Sequence, residues 1–225
     1  MKPFVLPLGK LGTGLLVVLA LAACGSTPPP PDWQMNARSG LERAQKASLT
    51  GMTAIETAEM ARVRRELART GRIDLMARAE LVLCAARVAA LDFGPCTPFE
   101  ALEADAAETE RAYARYLQGQ PLPGDAVWLP ETQRPLAVGG DAARQALSSV
   151  SDPLSRLVGA AVLMRRGDAS PEVLALAVET ASMQGWSRPL LAWLGVQRER
   201  ARAAGDQEQA DQLQRRMDLI LRQPR

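Results

Sequence analysis

Cysteine, arginine and paired carboxylates are the side chains whose spacing could carry chemistry here. Cys84 and Cys96 stand 12 residues apart. Cys84 lies about 12 Å along a helix before Asp92. The segment 93–96 spans about 13 Å when extended, so the chain can fold back and bring the two sulfurs together. Closing such a loop contributes about 3 kcal/mol by the chain-entropy estimate. The other possibility is a pair of free thiols in a core. No CxxC spacing points to redox catalysis. Arg62, Arg65, Arg69 and Arg72 recur at helical spacing, with Arg64 beside them. Such a row could form a groove for carboxylates or phosphates. Glu59 and Glu66 interleave with it, which makes a self-neutralised solvent face the plainer reading. Glu56 with Glu59 and Glu103 with Glu110 are pairs of a kind that any helical chain with 25 acidic residues produces, and solvated faces account for them.

Several kinds of chemistry have no residues to perform them. The chain has no His, which excludes a His-based triad, His acid–base catalysis and His metal ligation. Lys46 has no Ser three residues ahead of it, so the SxxK arrangement is absent. There is no glycine-rich phosphate loop and no metal-binding cluster, so neither a cofactor nor a metal is expected. A formal charge of +2, from 27 basic and 25 acidic side chains, gives no support to nucleic-acid binding.

The N-terminus carries an address. Lys2 and Lys10 form a basic region, LGTGLLVVLA is apolar and too short for an ordinary membrane span, and Leu21-Ala22-Ala23-Cys24 follows. This resembles the signal of bacterial lipoproteins, whose lipobox is matched in full. The resemblance implies cleavage before Cys24, acylation of Cys24 and removal of residues 1–23. Gly25, where Asp resembles an inner-membrane retention signal, favours the outer membrane, facing the periplasm. An exported chain meets oxidising conditions, which suits a Cys84–Cys96 bond. Multiple acyl chains hold a protein firmly on a bilayer. Residues 24–35 form a lipidated, proline-rich tether, in which four successive prolines favour polyproline II at about 3.1 Å per residue.

The body reads as all-α, in stacked antiparallel hairpins or an irregular bundle. Residues 36–118 form an N-terminal helical half, with helices predicted over 36–50, 53–70, 73–92 and 98–118. The third has two apolar stripes. Leu75, Ala79, Val82, Ala86 and Ala89 line one, and Leu81, Cys84, Val88 and Leu91 the other, so it packs on both sides. Gly94-Pro95 would stop it, and Thr97-Pro98-Phe99-Glu100 reads as a capping box for the next helix. Residues 119–140 hold four prolines without a helical period and read as a seam, with Ala126–Leu129 and Leu136–Val138 able to pair as a ribbon. Trp128 lies in this seam and Trp33 at the start of the body. Each is either a contact anchor or a buried Trp, and Trp186 and Trp193 read as core. Residues 141–225 form a C-terminal half with helices over 141–150, 153–166, 171–184, 188–204 and 206–222.

Pro153 and Pro189, and Gly159 and Gly195, repeat at an offset of 36, a period of stacked helical hairpins. With Leu194-Gly195, Gly205-Asp206 and Ala210, this resembles tetratricopeptide repeats. It departs from their spacing between Leu-Gly and the turn glycine, 10 residues here against the family's 7. The resemblances together imply a lipid-anchored, non-enzymatic scaffold or adaptor that binds an envelope protein in assembly or secretion. Arg62, Arg65, Arg69, Arg72 and Trp128 are the candidate contact residues. A cell-wall hydrolase and a purely structural envelope lipoprotein are the alternatives.

Overall fold

The computed structural model describes residues 29–222. The signal, Cys24 and Gly25 lie outside them. From Asp32 onward the described chain is one compact unit made of helices. Ten α-helices follow in order. They are α1 (Asp32–Thr50), α2 (Thr53–Ala68), α3 (Ile73–Ala89), α4 (Thr97–Glu100), α5 (Glu108–Leu117), α6 (Gly140–Ser148), α7 (Pro153–Arg165), α8 (Pro171–Met183), α9 (Ser187–Ala203) and α10 (Gln207–Leu221). No strand occurs among the described residues.

Helix α3 is the inner helix that its two stripes require. Ala79 and Leu83 pack with Ala37, Ala44, Met60, Val63 and Leu67 of α1 and α2 in a small core. Leu81, Cys84, Ala85 and Val88 face a larger core, which also draws on α5, α7, α8 and α9. The Cys84–Cys96 disulfide is present, with a Cα–Cα distance of 5.8 Å and both residues buried. It ties the middle of α3 to the start of α4. The hairpin α1–α2 is also fixed to α9, through Arg188. That side chain donates to Glu56 Oε2 at 3.2 Å, Thr53 Oγ1 at 2.9 Å and Ser48 Oγ at 3.2 Å.

Several local expectations are corrected. The helix read as starting at residue 36 begins at Asp32 and takes up the end of the expected tether. Helix α3 stops at Ala89, because Leu91 turns left-handed at φ 60° and the Asp92 N–H donates to the Arg87 carbonyl. This closes α3 in the manner of a Schellman turn, before Gly94-Pro95 is reached. The helix read over 98–118 is broken. Residues 97–100 form α4, Glu103–Asp105 a 3₁₀ turn, and Ala106 and Ala107 are extended with ψ near 149° and 162° before α5 begins. Thr97 lies inside α4, and its side chain makes no cap. Phe99 and Ala106, on either side of the 3₁₀ turn, both enter the larger core. In the last hairpins three helices are capped by side chains. Asp152, Ser170 and Asp206 accept from the N–H groups of Ser155, Val173 and Gln209.

Residues 119–140 form a packed strap with no ribbon. Two 3₁₀ turns, Asp125–Trp128 and Arg134–Leu136, carry it across the body. Leu129 and Leu136 are fully buried in the larger core, which draws on residues both before and after the strap. Leu136 lies against α7 at Gly159, where the missing side chain makes the approach possible.

Candidate functional site

The strap is held down by polar contacts that its composition does not announce. Arg115 on α5 grips Asp125 through both carboxylate oxygens, at 2.7 and 2.8 Å, and Asp125 also accepts from the Leu122 N–H at 2.8 Å. The Arg115 guanidinium holds the buried Asp125 carboxyl below the usual carboxylate range. Hydrogen bonds from Arg115 and Arg111 do the same for Glu108. Farther along, the Tyr116 hydroxyl donates to Gln133 Oε1 at 2.5 Å, and Gln133 Nε2 donates to the Ser155 carbonyl at 2.9 Å. The strap is thereby joined to α5 on one side and α7 on the other.

Between these anchors two large apolar side chains stand outward. Val127 is 68% exposed and Trp128 47% exposed. They border a cavity of about 580 Å³, walled by Leu81, Val82, Tyr113, Leu129 and Pro130 and holding three formally charged groups, Arg78, Glu110 and Arg134. Burial pushes the Tyr113 phenol well above its ordinary value, so it stays a neutral wall of the cavity. Glu110 is 3% exposed. Arg78 reaches it from α3 with Nε at 2.9 Å and a terminal nitrogen at 2.8 Å, both on Oε1. Oε2 is buried and has no hydrogen-bond partner.

Trp128, singled out from the sequence, borders this cavity. None of the four sequence-picked arginines lines it. Arg62 lies 3.6 Å from Glu59, Arg69 3.2 Å from Glu66 and Arg72 2.6 Å from Asp74, while Arg65 is exposed on α2. The neighbouring Arg64 forms a two-armed pair with the buried Glu80, at 2.6 and 2.9 Å. The row is thus largely neutralised by carboxylates of its own hairpin and of α3. Glu56, of the sequence-picked carboxylates, is bound to Arg188, and Glu59 to Arg43 and Arg62. Sequence reasoning missed Arg78 and Arg134. It noted Glu110 only as one of a common pair, because its partner Arg78 lies 32 residues away.

No family model, curated protein or solved structure matches the chain.

Proposed function

We propose that this chain is a lipid-anchored scaffold or adaptor of the bacterial envelope. It is held at the outer membrane by acyl groups on Cys24, faces the periplasm, and binds a protein partner without turning it over. The observation that carries the binding role is the Val127–Trp128 edge, an exposed aromatic and aliphatic pair on a strap fixed by a buried ion pair. A preorganised Trp beside an apolar cavity is the usual make-up of a protein-contact anchor, because little entropy remains to be lost on binding. The LAAC lipobox supports the anchor, and a disulfide between buried cysteines is in keeping with an oxidising compartment. The hairpins α7–α8 and α9–α10 are read as tetratricopeptide-like, on their offset of 36 residues and the packing of each helix on the next.

The test is cross-linking in cells. A photoreactive benzoylphenylalanine at Val127 should give a discrete protein adduct on illumination. The same residue at Lys46, exposed on α1, should not. Trp128→Ala should remove the adduct at 127. Equal labelling from both positions, or none from 127, would count against a binding surface at the strap.

A further inference from the structure

The cavity beneath Trp128 says what its partner brings, if the surface binds protein as proposed above. Glu110 Oε2 is the buried side-chain nitrogen or oxygen without a partner among the described residues. It is closed to solvent, so Glu110 acts on the cavity through Arg78, which it holds by Oε1. The cavity holds two guanidiniums against one carboxylate. Arg78 spends two nitrogens on Glu110, yet its side chain is 62% exposed. Arg134 donates Nε to the Leu129 carbonyl and otherwise faces solvent. The cavity therefore favours a negative group. Its remaining lining is mainly apolar, with Trp128 at the edge.

We infer that the cavity binds an extended segment of a protein partner in which an acidic side chain stands beside apolar ones. An apolar side chain of the segment packs against Trp128, and the acidic group meets the guanidiniums of Arg78 and Arg134. A peptide supplies both chemistries within a few residues. A basic segment would meet the net positive charge and lose affinity.

The experiment is selection from a phage library of random 12-residue peptides on the full chain in detergent. The enriched peptides should share an Asp or Glu flanked by apolar residues. A fluorescent copy of the best one should bind about tenfold or more weakly to Trp128→Ala and to Arg78→Ala, and unchanged to Arg38→Ala. Arg78→Ala leaves Glu110 buried without its cation, so thermal melts accompany each variant. Arg134→Ala provides the same charge test should Arg78→Ala fail to fold. No enrichment, a basic consensus, or binding indifferent to all the cavity substitutions would overturn the inference. A cross-link from position 127 that survives those outcomes would leave the protein-binding reading standing and remove only its peptide chemistry. Loss of that cross-link would remove the reading itself.

Discussion

Replacing Gly159 by Ala tests whether the strap lies where it is described. A Cβ at this position would stand 2.3 Å from Leu136 Cδ1 and 3.0 Å from Leu147 Cδ1. Carbon atoms settle near 3.5–4.0 Å, so Leu136 must retreat by about 1.2 Å or more. It has nowhere to go, since Leu136 and Leu147 are both fully buried. Overpacking of this kind costs about 1–3 kcal/mol. Against it stands the gain from Ala over Gly in a helix, about 1 kcal/mol. Steric crowding at the short contact is expected to win, for a net loss of up to about 2 kcal/mol. The sign should reverse in a Leu136→Ala background. That change alone costs about 2–5 kcal/mol, but it opens the space, and Gly159→Ala should then stabilise by up to about 1 kcal/mol. Gly195, at the corresponding repeat position in α9, provides a control. Its added Cβ would meet only Met217 Cε, at 3.9 Å, so Gly195→Ala should be neutral or stabilising. Urea midpoints at constant m value measure all four variants. A rise in midpoint for Gly159→Ala in the unaltered protein would refute the packing of the strap on α7.

Three further outcomes are expected. Cys96→Ser should destabilise the oxidised protein by about 3 kcal/mol, the entropy of the released loop, and lower Tm by roughly 6–12 °C; a reductant should lower the unaltered protein to a similar value, and an unchanged Tm would speak against the bond. Asp125 and Glu108 both titrate below their ordinary range in the fold, chiefly through Arg115. The unfolded chain therefore binds their protons more readily. Their contribution is complete above about pH 4–5 and falls as pH drops through the folded values. Urea midpoints should fall between pH 5 and pH 3, approximately, and Asp125→Asn should flatten that fall while lowering stability at pH 7 by about 1–3 kcal/mol; equal slopes would exclude Asp125 as a source. Cys24→Ser should abolish incorporation of labelled fatty acid and leave the precursor uncut; continued labelling would contradict the anchor.

How much of this could be read from the sequence depends on how local each cause is. The two faces of α3 were legible because a helix buried on both sides must be apolar along two stripes, and the cysteine on one of them sits within reach of its partner. The caps of α7 and α8 have an equally local cause, since Asp152 and Ser170 act on N–H groups three residues away. The break at Ala106-Ala107 was not. Neither residue is a helix breaker, and no local signal marks the extended backbone found there. The strap betrayed its irregularity through its prolines, but not its seating. Gln133 and Leu136 are placed by Tyr116, Ser155 and Gly159, which no short-range pattern connects to them. The candidate site divides likewise. A Trp in a proline-rich segment drew notice to position 128, whereas Arg78 and Glu110 meet only once α3 and α5 are packed together. The arginine row on α2 showed the converse, because helical spacing made it conspicuous and the adjoining carboxylates account for most of its charge.

The most direct measurement is the indole N–H spectrum of the protein as an acidic, apolar peptide from the selection is added. Four tryptophans give four signals, and that of Trp128 is identified by its loss in Trp128→Phe. Trp193 is fully buried, with its indole N–H bound to the Ala89 carbonyl, and reports on the core instead. Binding at the strap should shift the Trp128 signal progressively to saturation while that of Trp193 stays in place. Saturable binding that leaves the Trp128 signal unmoved would place the partner elsewhere and contradict the role assigned to this surface.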